Sequence, residues 1–460
     1  MAEEATAQEF DILILGGGSG GYAAALRSVE LGFSVGLIEK GKLGGTCLHN
    51  GCIPTKALLH SAEIAENAKT AEKYGIKATF DSVDMNAVNT YKDNIIAGKF
   101  RGLQGLIKSK GITVIEGEGR LTSEKTIEVN GRTYTGSNII LATGSYSRSL
   151  PGLEIGGRVI TSDQALTLDY VPKSAVILGG GVIGVEFASV WNSFGVDVTI
   201  VEGLPSLVPN EDAAIIKNLE RAYKKRGIKF STGIFFEKVE QNDDGVVVTL
   251  ADGKTFEAEL LLVAVGRGPV TANLGYEEAG LTMDRGFVIT NERLHTGVGN
   301  VYAVGDIVPG LQLAHRGFQQ GIFVAEEIAG LKPVVVEDVN IPKVTYCEPE
   351  IASVGLTEAK AKEKLGADNV QVQEYNLAGN GKTSILGSSG LIKMVREKDG
   401  PIIGVHMIGG RIGEQIGEAQ LIVNWEAYPE DLAGLLHAHP TQNEAIGEAA
   451  MALAGKPLHG

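Results

Sequence analysis

Two stretches far apart in the chain repeat one pattern: an apolar strand, a glycine turn, then a helix of small and apolar residues. Phe10–Leu15 is a strand-length apolar run, followed by Gly16-Gly17-Gly18-Ser19-Gly20-Gly21 and an Ala-rich helical stretch. Ala175–Leu178 repeats the strand, Gly179-Gly180-Gly181-Val182-Ile183-Gly184 the turn, and Val185–Trp191 the start of the helix. Each copy runs on to a second apolar strand ending in Glu, Val35–Glu39 and Val198–Glu202. Glu39 follows Gly16 by the same 23 positions by which Glu202 follows Gly179. The pattern predicts a nucleotide-binding βαβ unit present twice. One repetition implies no solenoid.

The remaining pattern divides the chain. Thr126–Tyr134 and Gly245–Phe256 contain Asn-Gly and Asp-Gly turns between strand-like runs, which predicts hairpins. Leu260–Val265 ends at Gly266-Arg267; Asn300–Val304 ends at Gly305-Asp306, with a helical pattern from about Ala314. Beyond Pro342 strands and helices mix to the end. The reading is an α/β protein with two Rossmann-like dinucleotide-binding domains and a C-terminal α+β domain. Its boundaries give residues 1–145, 146–271, 272–343 and 344–460.

In each turn the glycines have separate jobs. Gly16 and Gly179 make the tight turn, Gly18 and Gly181 let a pyrophosphate approach the backbone, and Gly21 and Gly184 let helix pack on strand. The helix N-terminus then faces the phosphate charge. Glu39 and Glu202 are placed to accept hydrogen bonds from a ribose diol. At the second site the carboxylate of Glu202 would repel a 2′-phosphate, and Gly203, Leu204 and Pro205 bring no cation, so NAD is favoured over NADP.

Composition narrows the class. Sixty-two glycines in 460 residues, roughly twice the usual share, fit many tight turns and close backbone–ligand approaches. A net charge of −15 disfavours nucleic acid and anionic lipid as partners. No apolar run approaches the roughly 18 residues of a membrane span. Met1–Gln8 is acidic and without Lys or Arg, so no signal or transit peptide is expected. Three cysteines are too few for a secreted disulfide framework. Cytoplasm is the simplest placement, although a trimmed organellar protein would look the same.

Two of those cysteines stand in Gly44-Gly45-Thr46-Cys47-Leu48-His49-Asn50-Gly51-Cys52-Ile53-Pro54-Thr55-Lys56. Five positions along a regular helix span about 7.5 Å, too far for a disulfide, so a bridged pair requires an irregular start, which Gly51 permits. Pro54 suits a first helical turn, and a helix N-terminus favours a thiolate. A redox pair is the expected reading. Two unconnected buried thiols, or half of a zinc site with His49 and His60 near, stand as alternatives; zinc would need about four ligands, and no second Cys cluster exists. No metal site is expected, and Cys347 reads as a spectator.

In this order, these motifs resemble the flavoprotein disulfide reductases, and specifically their dihydrolipoamide-oxidising members, over essentially the whole chain. The resemblance rests on the first glycine fingerprint, Gly-Gly-Thr-Cys47 through Cys52-Ile-Pro-Thr-Lys56, Ala142-Thr143-Gly144, and Gly179 through Glu186. It continues through Val265-Gly266-Arg267, Gly305-Asp306, Leu313-Ala314-His315 and His437-Ala-His439-Pro-Thr-Gln-Asn-Glu444. It implies FAD in the first site and NAD in the second. It also implies that residues 272–343 complete the FAD site and that the last domain joins a homodimer.

By the same resemblance Asp306 meets the flavin's ribityl chain, and the backbone at Gln312, Leu313, Ala314 and His315 meets its ring. Lys56 lies near the flavin with Glu186 as partner. Gly119, Thr143, Gly144 and Ser145 add FAD contacts; Gly266, with Arg267 in its motif, and Phe236 fall where the family touches NAD. His439, oriented by Glu444, is the base given across the dimer. Without the resemblance, His437 and His439 could merely decorate a loop, and Lys56 and Glu186 could be surface residues.

The implied reaction is dihydrolipoamide + NAD⁺ → lipoamide + NADH + H⁺, with Cys47 as the exchange thiol and Cys52 as the flavin-facing thiolate. Lipoyl domains of 2-oxoacid dehydrogenase complexes or the glycine cleavage H-protein are the implied partners. The nearest rival is an NADPH-dependent reductase of glutathione or another small disulfide, against which Glu202 argues. A flavin-binding assembly subunit without turnover is a more distant one. The chain departs from the family's usual residues at His49-Asn50, Val270 and Gln442-Asn443.

Overall fold

The computed structural model describes residues 8–459. The expectation about a leader peptide rests on the opening residues, of which 1–7 lie outside those described. Gln8–Leu15, Val35–Glu39 and Thr113–Glu116 run parallel, and Arg132–Leu141 pairs on the other flank of Gln8–Leu15. Ile12, Leu13 and Ile14 are all fully buried. A parallel strand covered on both faces needs such a continuous apolar run rather than an alternating one.

Gly119–Ser123 and Thr126–Val129 extend this sheet antiparallel. Val301–Ala303 then returns from far downstream to pair with Arg132–Leu141 in parallel. The helix that follows, Ala314–Ile328, lies across Ser19–Glu30 at glycine contacts: a Cβ on Gly321 would collide with the Gly20 carbonyl.

The second sheet is wholly parallel, in the order Lys229–Thr232, Asp197–Glu202, Ser174–Leu178, Leu260–Val263, Val159–Thr161. A three-stranded meander, Phe236–Gln241, Val246–Leu250 and Thr255–Ala258, accompanies it. The third sheet is antiparallel, in the order Lys343–Thr345, Glu350–Gly355, Ile402–Gly409, Leu391–Glu397, Val370–Asn376. The helices Ile416–Asn424 and Glu444–Leu453 share its core through Ala419, Ile422, Ile446 and Ala449. The architecture is the α/β arrangement that the glycine repeat predicts. No described helix is long and apolar enough to cross a membrane.

A buried ion cluster docks the third unit on the second. Asp212, at the N-cap of Ala213–Arg226, accepts the Ala214 and Glu358 amides at 3.0 Å and Lys393 Nζ at 2.9 Å. Lys393, on a strand of the third sheet, also reaches Glu358 at 2.5 Å. Asp212 is 2% exposed and Lys393 3%. Burial disfavours both charges, yet pairing wins: the Asp212 pKa is held below its ordinary value and the Lys393 pKa above it.

Lys393→Ala is therefore expected to cost about 3–5 kcal/mol, because it strands a buried carboxylate; urea unfolding measures it. The depressed Asp212 stabilises the fold above its ordinary pKa and loses that contribution as pH falls through its folded value. The raised Lys393 stabilises below its ordinary pKa and loses its contribution only as pH rises through its folded value. The cost should hold across neutral pH and shrink in acid. A cost equal at acid and neutral pH would contradict this account.

Candidate functional site

The two glycine turns match in their backbone chemistry. Gly16 and Gly179 take φ of +106° and +111°, which favour glycine, and a Cβ on either would strike the carbonyl of Ala142 or Ala264. Their amides bond the Ile38 and Val201 carbonyls, both at 2.8 Å. A Cβ on Gly21 or Gly184 would strike the carbonyl of Gly16 or Gly179, so only glycine lets each helix lie so close. Gly18 and Gly181 cap the two helices, and a Cβ on either would point into nearly open space, the room a pyrophosphate needs.

The acids are equally matched. Glu39 accepts the Gly17 amide at 2.6 Å and the Gly41 amide at 2.7 Å. Glu202 accepts Gly180 at 2.6 Å and Leu204 at 2.8 Å. Both carboxylates are thus aimed by backbone donors, and each oxygen keeps a further lone pair for a ribose hydroxyl. The residues fit a dinucleotide at each turn.

Between the turns the cysteine segment breaks in two. Cys47 lies in a five-residue helix, Gly45–His49, and Cys52 opens the longer helix Cys52–Thr70. Gly51 between them has φ −148° and ψ −109°, which supplies the irregular start that the spacing demands. Both thiols are free and half-buried. Beside Cys52, the Cys47 pKa is pushed far above the ordinary thiol value, and burial adds to the rise. Beside Cys47, the Cys52 pKa is pulled down, with burial opposing and Lys56 helping. His49 and His60 are engaged elsewhere, with the Leu43 carbonyl at 2.9 Å and Glu63 at 3.2 Å.

One turn along that helix, Lys56 Nζ meets both oxygens of Glu186, at 2.9 and 2.8 Å. Glu186 is 4% exposed in its side chain. Burial works against the Lys56 charge, but Glu186 outweighs it and holds the pKa above its ordinary value. Tyr346, which the sequence gave no reason to choose, completes the group: its amide donates to Glu186 Oε1 at 2.9 Å, and its ring lies 4.7 Å from Lys56 Nζ.

Ser145 Oγ donates to Asp306 Oδ2 at 2.5 Å and accepts Arg267 Nε at 2.8 Å. Arg267 also bonds the Ser145 carbonyl at 2.8 Å, Ser147 Oγ at 3.3 Å and Thr46 Oγ1 at 3.5 Å. Its guanidinium braces the residue before Cys47. The helix at Ala314–Ile328 starts after Leu313, with Gly317 donating the first intrahelical bond, so the amides of Ala314 and His315 are left for a ligand. Gln312 Nε2 contacts the Asp306 carbonyl at 3.5 Å, and His315 Nε2 bonds the Pro342 carbonyl at 2.8 Å.

Other expected residues act differently from their side-chain reading. Thr143 Oγ1 is spent on the Val270 carbonyl at 2.6 Å, while Gly144 (φ +77°) and Gly266 (φ +105°) face open space. At Gly119 a Cβ would lie 2.5 Å from Leu15 Cδ1, so packing demands this glycine and only its backbone is free for a cofactor. Phe236 packs toward the buried meander core. The ring beside Glu202 is that of Phe235, 66% exposed and 2.7 Å from where a Gly203 Cβ would stand. Phe236, expected at the NAD site, opens the strand Phe236–Gln241, and the residue just before it carries the ring that stands nearest Gly203.

His439 lies in the C-terminal loop, 78% exposed, with Nδ1 2.8 Å from Glu444 Oε1. Burial raises the Glu444 pKa, but the Thr441 amide and His439 outweigh it, so its carboxyl is held below its ordinary value. An ionised carboxylate only accepts, so Nδ1 carries the proton and the lone pair sits on Nε2. Cys347 is 1% exposed, and burial pushes its pKa far up. Among the described residues no group of three or more His, Cys, Asp or Glu could hold a metal.

Known proteins share this design. Dihydrolipoyl dehydrogenase of Bacillus subtilis is 40% identical over 98% of this chain and 100% of its own length. The mitochondrial dihydrolipoyl dehydrogenase of Pisum sativum is 40% identical over 98% and 93%. Leghemoglobin reductase of Glycine max is 39% identical over 98% and 88%. Among solved structures, LpdA from Mycobacterium tuberculosis matches with a TM-score of 0.90 and 26% identity, over 97% of this chain and 99% of that one. The HOCl-induced flavoprotein disulfide reductase RclA from Escherichia coli matches at 0.85 and 26%, over 96% and 99%. The description pyridine nucleotide-disulphide oxidoreductase matches residues 10–321, and its dimerisation domain matches residues 341–450. Doubled glycine turns, a thiol pair between them and a dimerisation domain behind them place this chain in the pyridine nucleotide-disulphide oxidoreductase family.

Proposed function

We propose that the protein oxidises dihydrolipoamide to lipoamide with NAD⁺, as a homodimer using FAD. The observation that carries the reading is the half-buried Cys47–Cys52 thiol pair at a helix start, held beside Lys56–Glu186 between two matched dinucleotide cradles. Gly16, Gly18, Gly21, Glu39, Ser145–Asp306 and the amides at Ala314 and His315 would hold FAD. Gly179, Gly181, Gly184, Glu202 and Gly266 would hold NAD. FAD held there would supply the two-electron chemistry that links the thiol pair to the nicotinamide.

The chain's own groups do the rest. His439 Nε2 removes a substrate thiol proton, and Glu444 steadies the imidazolium that forms. The substrate thiolate bonds to Cys47 Sγ in the oxidised enzyme, breaking the Cys47–Cys52 bond. Cys52 leaves, because the sulfur of lower pKa is the better leaving group. The second substrate thiol then displaces Cys47 and closes the lipoamide ring, and Cys47 takes up the proton. His439 is exposed and bonded to Glu444 alone among the described residues, which suits a base offered to the other subunit.

We further propose lipoyl domains of 2-oxoacid dehydrogenase complexes, or a glycine cleavage H-protein, as carriers of the substrate. The low cysteine count suits a reducing compartment, and we place the protein in the cytoplasm.

Anaerobic titration with dihydrolipoamide and with glutathione tests the reaction. A long-wavelength thiolate–flavin band is expected with the dithiol, and equal reduction by glutathione would overturn the substrate assignment.

NAD⁺ is expected to exceed NADP⁺ in kcat/KM, and Glu202→Ala to narrow the gap. Equal values in the unaltered protein would sink the role of Glu202.

Cys47→Ser and Cys52→Ser are both expected to retain FAD and lose lipoamide turnover. Only Cys47→Ser should keep the thiolate–flavin band. Because the Cys47 thiol is the first cause of the depressed Cys52 pKa, with Lys56 the next helper, the band of the reduced unaltered protein should survive as pH drops below the ordinary thiol value of about 8.5, and that of Cys47→Ser should fade at a higher pH. Absorbance spectra across pH decide this, and identical spectra for the two variants would overturn the assignment of exchange and charge-transfer roles.

His439→Gln should slow dihydrolipoamide oxidation by about 10²–10⁴-fold and spare NADH-driven reduction of an acceptor that takes electrons directly from flavin. Hybrids of His439→Gln with Cys52→Ser subunits should recover activity at one site. No recovery in proven hybrids would put His439 in its own subunit's site.

A further inference from the structure

The His439 loop is fastened on both sides by one carboxylate outside the His439–Glu444 pair. The loop joins the helices Pro429–Ala433 and Glu444–Leu453. On its near side, His437 Nε2 lies 2.8 Å from Glu418 Oε1. On its far side, Asn443 Nδ2 donates to Glu418 Oε2 at 2.6 Å. Glu418 belongs to a different helix, Ile416–Asn424, which packs in the core of the third sheet through Ala419 and Ile422.

The two histidines face opposite ways. The His437 side chain is 13% exposed and that of His439 78%. His437 lies against Gly447, where a Cβ would stand 2.7 Å from its Nδ1, so a glycine on the following helix makes room for the ring. An ionised carboxylate accepts only, so the Glu418 bond fixes the proton of neutral His437 on Nε2. That leaves Nδ1 against the helix, where it cannot reach a substrate.

Further bonds serve the same loop. Asn380 Nδ2 donates to the Thr441 carbonyl at 2.9 Å, and Gln442 Nε2 to the Gly410 carbonyl at 2.9 Å. Gln442 and Asn443 are a pair at which the sequence departs from the residues usual in the family it resembles, and each makes one attachment, to Gly410 and to Glu418.

We propose that Glu418 is a positioning residue for the base, gripping the His439 loop by His437 and Asn443 so that Nε2 is presented in one place. This rests on the reading of His439 as the base. A loop of ten residues with one exposed imidazole would otherwise sample many positions, and a displacement of about 1 Å is enough to cost on the order of 10²-fold in rate.

Glu418→Ala in the FAD-loaded dimer tests it. Dihydrolipoamide kcat is expected to fall by about 10–100-fold, with the KM for NAD⁺ and direct flavin-to-acceptor turnover from NADH unchanged. Added to His439→Gln, the same substitution should cause no further loss, since it acts through a base that is already gone. Asn443→Ser, which removes one arm at a position whose side chain makes no cap hydrogen bond, should give a smaller loss of the same pattern and decides the matter if Glu418→Ala does not fold. Wild-type turnover in these variants, or a full additional loss in the His439→Gln background, would overturn the positioning role. Wild-type turnover in His439→Gln alone would instead overturn the base itself, and the inference with it.

Discussion

The Glu186 carboxylate, on the second unit of the fold, takes one group from each of the other two. Lys56 comes from the helix that Cys52 opens, Glu186 itself from the helix after the second glycine turn, and the Tyr346 amide from the start of the third sheet. A carboxylate this buried is costly unless its lone pairs are filled. Filling them requires all three units to be in register. The position of the thiol pair relative to both nucleotide cradles therefore depends on this contact, because Lys56 is one helical turn from Cys52 on a rigid helix.

The cradles obey a second constraint, steric rather than electrostatic. A dinucleotide must lie against the backbone, and the backbone must then turn sharply enough to send a helix back over its strand. Gly16 and Gly179 meet the same carbonyl obstruction, and Gly21 and Gly184 the same helix–strand approach. Two segments that share few side chains have arrived at one set of hydrogen bonds, with Glu39 and Glu202 each held by two backbone amides. Identical backbone demands leave little freedom for anything else.

The thiol pair works by asymmetry. Similar burial and mutual proximity leave one sulfur to carry charge, and Lys56 lowers the cost of that charge. Lys56 favours the Cys52 thiolate, while Glu186 keeps Lys56 charged. The remote His439–Glu444 pair supplies the proton transfer that this region lacks, held on an outer loop by Glu444 and Glu418.

Much of this was legible in the residues alone, for a definite reason. Glycine turns, strand–turn–helix order and the distance to each acid are local, so the spacing Gly16–Glu39 and its copy Gly179–Glu202 carry their own geometry. The need for an irregular backbone between Cys47 and Cys52 likewise followed from helix rise alone, and Gly51 supplies it. Family motifs supplied the pairing of Lys56 with Glu186 and of His439 with Glu444. Tertiary structure decided the rest. Tyr346 joins Glu186 across 160 positions, and Arg267 braces Thr46 across 221; no local pattern encodes such partners. The ring standing against Gly203 is that of Phe235, just before the strand, while Phe236 packs toward the meander core; only the tertiary packing separates the two. His437 and His439 look interchangeable in a line of letters, and only packing against Gly447 turns one inward and leaves the other's Nε2 in solvent.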